Sequence, residues 1–369
     1  MSHEKARVLI VGMGGVGTMA AYALETGGKA AVTAVMRSNF DAVHKHGIDI
    51  DSIEHGHDIK GWRPTTGKSV SVIALSSRAL SDADNSHAAV RKTVPNVAEE
   101  GLPPFDFILV TTKNIPDIPP TVADIIAPAV TPVGTVIVLS QNGINIEKPI
   151  VPRFPRNPII SGVSYIGATE KSHGKILHDD ADAQRIGPFS NPQVPSPTAE
   201  EAARRYVSIY NPNGKLDVVF DNDVSRVRWR KLVYNASFNP IAAILRMDTP
   251  RMRMSQHIVD DLIRPVMIEV MKAAQACGVH DLPADLPERL IRDDPIDSAF
   301  KPSMCQDIEK GNLMEIENIV GEPLRAGESK GVSMPTLRTI YGLLKGLQLQ
   351  TLEAKGKWEP RFEPGNPYQ

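Results

Sequence analysis

The chain has 369 residues, 41% of them hydrophobic and 23% charged, with a formal net charge of −2. These are ordinary globular values at a length suited to two domains. They give no bulk electrostatic case for nucleic acid or an anionic membrane, and no apolar run approaches the ~20 residues a bilayer span needs. The two cysteines, Cys277 and Cys305, form neither a metal spacing nor a disulfide framework, so no metal is expected and a reducing compartment is. Met1 to Ala6 leave no room for a presequence before the first strand, and the expected location is cytoplasmic.

Arg7-Val8-Leu9-Ile10-Val11 reads as an apolar strand, and Gly12-Met13-Gly14-Gly15-Val16-Gly17 follows at once as G-x-G-x-x-G. A helix is expected to Gly27-Gly28, then a second strand over Ala31–Met36, ended by Arg37. Strand, glycine turn, helix and strand in this order form a dinucleotide-binding fingerprint. Gly12 allows the tight turn, Gly14 lets the backbone approach a pyrophosphate, and Gly17 lets the helix pack on the strand. With Gly15 and Val16 they open a helix whose free N–H groups face the phosphates. An NAD site usually has Asp or Glu at the end of the second strand. Here the corner reads Met36-Arg37-Ser38-Asn39, and a guanidinium suits the 2′-phosphate of NADP(H).

Phe40–His46 reads as a short helix closed by Gly47, and Ile48–Asp51 as an edge strand. Ser52–Ser86 is polar, with a strand expected at Val70–Leu75, and Leu80–Glu100 reads as an excursion. The alternating pattern resumes with strand Phe105–Val110, running into Thr111-Thr112-Lys113, and helix Ile118–Ile126. Strand Thr135–Leu139 ends at Ser140-Gln141-Asn142-Gly143. Strand Ile159–Gly167, helix Thr198–Tyr210 and a last short strand, Leu216–Phe220, complete the series. Beyond Asp221 every segment reads as helix: Val224–Leu245 interrupted by Pro240, then Ile258–Cys277, Met314–Arg325 and Thr336–Lys355. The expected class is α/β, with an N-terminal Rossmann-type doubly wound parallel sheet over 1–221 and an all-helical C-terminal domain over 222–369.

Polar residues stand where apolar packing is expected in three further places. Lys113 and Asn142 follow the C-terminal ends of predicted parallel strands, where ligands bind in open α/β sheets. Lys231, Asn235 and Asn239 recur every four residues in Trp229-Arg230-Lys231-Leu232-Val233-Tyr234-Asn235-Ala236-Ser237-Phe238-Asn239-Pro240, so they line one helix face. The third place is Ser303-Met304-Cys305-Gln306-Asp307, followed by Glu315-Ile316-Glu317-Asn318-Ile319-Val320-Gly321. In this order the segments resemble the ketopantoate reductase (2-dehydropantoate 2-reductase) family over nearly the whole chain. The Lys-x-x-x-Asn-x-x-x-Asn-Pro helix and Ser-Met-x-Gln-Asp are the most specific markers.

The resemblance implies an NADPH-dependent reductase that turns 2-dehydropantoate into (R)-pantoate for pantothenate biosynthesis. Lys231 would be the general acid and Glu315 its partner, with Glu317 competing for that inward role. Asn235 and Asn239 would hydrogen-bond the substrate hydroxyl and keto groups, and Ser303 its carboxylate. Lys113 and Asn142 would position the nicotinamide ribose and ring. Asn239 has a second reading as a helix-bending residue before Pro240, and Ser303 as a helix cap. Asp307 and Gln141 read as structural. The chemistry agrees, since hydride addition to a 2-oxo acid creates an alkoxide that an ammonium stabilises and protonates. The sequence departs from the family in its extra residues between Ser52 and Glu100. It also lacks a further asparagine at Leu245-Arg246-Met247-Asp248-Thr249, where Arg246 or Thr249 would have to replace the contact. Two alternatives follow: a relative reducing another 2-oxo acid, a ketone or an imine, and a non-catalytic NADP(H) sensor. The expected partners are a small 2-oxo acid and, through the helical domain, a second copy in a homodimer.

Overall fold

The computed structural model describes residues 5–64, 89–362 and 364–369. The chain divides into two compact units. The first comprises Met1–Thr112, Pro120–Gln141 and Ile146–Val224; the second comprises Lys113–Pro119, Asn142–Asn145 and Ser225–Gln369. The strand expected at Val70–Leu75 lies outside the described residues.

The first unit carries twelve described strands: β1 (Ala6–Val11), β2 (Ala30–Val35), β3 (Ile48–Ser52), β4 (Gly56–Trp62), β5 (Val90–Arg91), β6 (Phe107–Val110), β7 (Val136–Leu139), β8 (Ile159–Ser164), β9 (Gly167–Ser172), β10 (Lys175–Asp180), β11 (Ala183–Phe189) and β12 (Asp217–Phe220). Its helices are α1 (Gly15–Thr26), α2 (Phe40–His46), α3 (Val122–Ile126), α4 (Ile150–Arg153) and α5 (Ser196–Tyr210). The main sheet runs β12-β11-β8-β7-β6-β1-β2-β5. In β1, Val8 and Ile10 join one apolar cluster and Leu9 and Val11 another. Both faces are therefore covered, which is why the strand reads as one apolar run.

The expected parallel sheet is present, with two further features. β11 pairs antiparallel with β8, while the other neighbours in this sheet are parallel. Between them the chain makes the β9–β10 hairpin and returns without a crossover helix, so antiparallel pairing results. A second sheet, β4-β3-β10-β9, also forms. Its strands β9 and β10, GATEKS and KILHDD, carry too few apolar residues to be read as strands from pattern alone. Helix α3 begins at Val122 and not at Ile118. Pro119-Pro120 precede it, and Thr121 forms a capping box with Asp124.

Among the described residues the second unit is helical apart from turns. Its helices are α6 (Val224–Asn235, whose first residue belongs to the first unit), α7 (Phe238–Leu245), α8 (Thr249–Arg253), α9 (Arg264–Ala276), α10 (Leu286–Ile291), α11 (Ser303–Glu309), α12 (Glu322–Glu328) and α13 (Pro335–Ala354), with π-turns at Ile258–Ile263 and Glu317–Gly321. Trp229, Leu232, Val233, Phe238, Ile241, Val266 and Leu337 anchor its core. The buried Glu269 carboxylate accepts the N–H groups of Thr336 at 3.0 Å and Leu337 at 2.9 Å, satisfying the first turn of α13. The helix expected over Val224–Leu245 is two helices that break at Ala236-Ser237. Pro240 has no N–H to give residue 236, and its ring crowds that carbonyl; in the first turn of a new helix neither matters. No described helix is long and apolar enough to cross a membrane.

Candidate functional site

In the first unit the glycine turn is built by close approach. Gly12 has φ +103°, and a methyl there would lie 2.8 Å from the Thr112 backbone nitrogen. A methyl on Gly17 would lie 1.9 Å from the Gly12 carbonyl oxygen, so α1 is pressed onto its own entry turn. Gly15 answers to a contact that pattern reading misses: its methyl would lie 2.0 Å from the Ala168 oxygen of β9. Gly14 is different. It precedes α1, is exposed, and a methyl there would meet no atom within 4 Å. The first turn of α1 carries no acidic side chain. Open space before helical N–H groups is a cradle that fits a pyrophosphate. Val16, next in α1, is partly buried.

Arg37 is exposed just past β2. Asn39 is buried beside it and donates through Nδ2 to the Met13 carbonyl at 2.8 Å and to Glu170 Oε1 at 3.0 Å. The corner bearing Arg37 is thereby tied to the glycine turn. No carboxylate occupies Met36–Asn39. With the glycine turn, these residues fit a dinucleotide.

The second unit holds a cluster of charges. Lys231, partly buried on α6, donates from Nζ to Asn142 Oδ1 at 2.9 Å. The Asn142 side chain also acts to lower the proton affinity of the Glu315 carboxylate. Glu315 is buried immediately before the helical turn at Ile316; it accepts the Asn114 N–H at 3.0 Å and lies 3.7 Å from Lys113 Nζ. Lys113 also pairs with Asp307 Oδ2 at 2.7 Å.

Burial pushes Lys231 down to about 8; the neighbouring Arg228 charge adds to that shift, and Glu315 opposes it. Glu315 is pushed above the usual carboxylate range by burial, against the Lys113 charge and the Asn114 N–H, with Asp307 adding to the rise. Burial also acts to lower Lys113, but attraction to Glu315 and Asp307 outweighs it and raises the ammonium. Both partners move upward: Lys113 because it faces two carboxylates, and Glu315 because burial and a second carboxylate outweigh the ammonium.

Of the other candidates, Asn235 ends α6, while Asn239 and Ser303 lie where α7 meets α11. Asn235 is buried one turn beyond Lys231. Asn239 is buried on α7, and its Oδ1 accepts the Met304 N–H at 3.4 Å. It therefore sits against the start of α11, where Ser303 is the first residue and Pro302 the cap, so Ser303 is not the capping residue. The break at Ala236-Ser237 removes the single helix face expected for Lys231, Asn235 and Asn239.

Glu317 turns to other partners: Arg325 at 2.9 Å, Lys345 at 3.0 Å and the Tyr341 hydroxyl at 2.8 Å. Of the two glutamates, Glu315 is the one in the charge cluster. Gln141 Nε2 donates to the Thr112 carbonyl at 2.7 Å, a structural contact. Asp307 reads as structural from sequence, yet it pairs directly with Lys113. Its signal is present, inside Ser-Met-x-Gln-Asp. Sequence reasoning also misses Arg228 and Asn39. Their signals are a charge between Val227 and Trp229 and a short amide after Arg37.

The family model described as ketopantoate reductase PanE/ApbA matches residues 8–191, and its C-terminal counterpart matches residues 223–348. A Saccharomyces cerevisiae protein, the uncharacterized YDL144C, is 35% identical over 374 residues, covering 95% of this chain and 96% of that one. The crystal structure of 2-dehydropantoate 2-reductase from Methylococcus capsulatus is 28% identical with a TM-score of 0.71, covering 94% of this chain and 97% of that one. A ternary structure of D-mandelate dehydrogenase with NADH and anilino(oxo)acetate shares the fold, with a TM-score of 0.69 at 18% identity over 94% of this chain and 99% of that one. With the glycine turn, the lysine–asparagine–glutamate cluster and both halves of the family pattern in one chain, the protein belongs to the ketopantoate reductase family.

Proposed function

We propose that the protein is an NADPH-dependent 2-oxo acid reductase of the 2-dehydropantoate 2-reductase type, with Lys231 as general acid. The observation that carries this reading is the Lys231 ammonium, held 2.9 Å from Asn142 and lowered to about 8. A proton donor works best when its proton affinity lies near the working pH. A solvated surface lysine has no use for that shift.

When bound, NADPH supplies the hydride. The turn Gly12, Gly14, Gly15, Val16 and Gly17 would hold its pyrophosphate, and Arg37 its 2′-phosphate. Lys231 would stabilise the alkoxide formed at the keto oxygen and give it a proton, a contribution typically worth ~10²–10⁴ in rate. Asn142 would keep the ammonium oriented, and Glu315 would keep it from losing its proton too readily. Lys113, neutralised by Asp307 and Glu315, would hold the nicotinamide ribose. Asn235 and Asn239 would bind the substrate hydroxyl and keto groups, and Ser303 its carboxylate. The reading assigns the protein to pantothenate biosynthesis in the cytoplasm, with the helical unit offering a homodimer face.

One observation favours a second reading, a different 2-oxo acid. No asparagine stands at Leu245–Thr249; Thr249 is fully buried, whereas Arg246 is exposed in a left-handed conformation with φ 57°. A cation there suits an acid with a second anionic or strongly polar end. The test is loss of NADPH absorbance with purified protein and a panel of 2-oxo acids. Turnover of ketopantoate above all others supports the first reading. Turnover only of others supports the second. Tight NADPH binding with no turnover points to a sensor and defeats both.

A further inference from the structure

We propose that Arg228 is a positioning residue for the Lys231 acid, one that locks the Gly143–Ile144 peptide next to Asn142 and keeps a second cation beside that ammonium. The proposal rests on the reductase reading and deepens it. Arg228 is buried three residues before Lys231 on α6, and residues so spaced share a helix face. Its Nη1 donates to the Gly143 carbonyl at 3.0 Å, one residue from the Asn142 that receives Lys231. The same turn is gripped from its other side. Gly143 has φ +89°, and a methyl there would lie 2.2 Å from the Asn318 oxygen. Ile144 N–H donates to that oxygen at 3.0 Å, and Asn318 Nδ2 returns a bond to the Ile144 carbonyl at 3.0 Å. With its carbonyl and its N–H both bonded, this peptide fixes the backbone that follows Asn142.

Position alone does not call for a charge. A neutral glutamine could satisfy the Gly143 carbonyl without desolvating a cation, which is costly in a protein interior. The positive charge is useful because Lys231 must part with a proton. The charged groups acting on Lys231 are Arg228 from its own helix and Glu315 from the segment before Ile316. Behind Glu315 stand Lys113, ahead of α3, and Asp307, from α11. Burial and Arg228 favour proton release, and Glu315 holds the proton back. Arg228 thus offsets the carboxylate that orients the site.

The test reads Lys231 directly. The full chain, without substrate or cofactor, is labelled with trace acetic anhydride across pH 6–11, and the extent of Lys231 acetylation is measured by peptide mass spectrometry. The wild-type midpoint is expected near 8. Arg228→Gln is expected to raise it by about one pH unit, the scale of a charge–charge interaction at this spacing. Arg228→Lys, which keeps a cation, is expected to leave it within about 0.3 unit on the same scale. A midpoint unchanged in Arg228→Gln overturns the proposal, as does an equal rise in both variants. If Arg228→Gln does not fold, Arg228→Lys decides: a wild-type midpoint sustains the proposal and a raised one ends it. Because labelling needs no turnover, an inactive protein with the expected midpoints counts against the reductase reading and not against this one.

Discussion

Asn142 presents its side-chain oxygen to the Lys231 ammonium at 2.9 Å, so the lysine is held by a neutral side chain while Glu315 acts on it through its charge. A carboxylate pressed directly on the lysine would hold its proton; an amide relays orientation with less charge. Lys231→Ala is expected to lower kcat by ~10²–10⁴, the usual contribution of a general acid, while the NADPH Kd stays within about threefold. Asn142→Ala leaves the donor in place but unoriented, and a loss of ~10–10²-fold in kcat is expected, smaller than deletion of the acid. Stopped-flow turnover and fluorescence titration with NADPH separate the two effects. Near-normal turnover in Lys231→Ala would remove the acid assignment.

The lowered proton affinity of Lys231 gives a signed pH dependence. With Lys231 as the acid, reduction requires the protonated amine. The rate of reduction, as kcat/KM, should therefore be level below about 8 and fall tenfold per unit above it. Oxidation of the hydroxy acid requires the neutral amine, so its limb should rise up to the same pH and then level off. Paired initial-rate profiles in both directions check this. A reduction limb that stays level to pH 10 would mean that an ordinary solvated lysine, or some other group, donates the proton.

Much of this arrangement was legible in the sequence because local geometry dictates residue type. Gly12 is forced locally by the positive φ of the turn and Gly17 by the Gly12 carbonyl, both within one strand–turn–helix unit, and the two buried faces of β1 impose a continuous apolar run. Less legible were features set by distant partners. Gly15 is required by Ala168, some 150 residues away in sequence, and the GATEKS and KILHDD strands hide their pairing behind polar side chains. The helix break before Asn239 was half visible. Pro240 announced an interruption, but its position one turn earlier follows from the carbonyl that the ring would crowd. The Lys113–Asp307 pair joins residues 194 positions apart, and no spacing rule connects them. Charge partners of this kind are invisible to periodicity.

Neighbouring glycines in the turn should behave oppositely on substitution. Gly14→Ala adds a methyl to open space at a backbone conformation that any residue adopts. Stability should change by no more than ~1 kcal/mol, the scale of an N-cap change, while NADPH affinity falls at least tenfold as the methyl fills the cradle. Gly15→Ala drives a methyl to 2.0 Å from a backbone oxygen on β9. Neither backbone can yield cheaply, and a loss of ~2 kcal/mol or more is expected. Thermal melts with and without NADPH distinguish them: the first variant should keep its apo Tm and lose the ligand-induced shift, and the second should lose apo Tm. Equal melts would mean that β9 does not pack on the helix start.

Arg37 sets the cofactor prediction. It follows β2 on a corner that Asn39 anchors to the Met13 carbonyl at 2.8 Å, so its backbone is fixed while its side chain is exposed. An exposed guanidinium is of little use to the adenosine ribose of NADH, which carries no charge at the 2′ position. Against a 2′-phosphate it can make paired, charge-assisted hydrogen bonds worth ~1.5–3 kcal/mol, or roughly 10–100-fold in Kd. Arg37→Ala should therefore weaken NADPH by that factor and leave NADH within about twofold. Added salt should narrow the wild-type preference because the contact is exposed and screened. Asn39→Ala should produce a milder form of the same phenotype, since it frees the corner without removing the charge. Equal losses for both cofactors in Arg37→Ala would assign that arginine to the solvated surface and leave the 2′-phosphate without a partner at this corner.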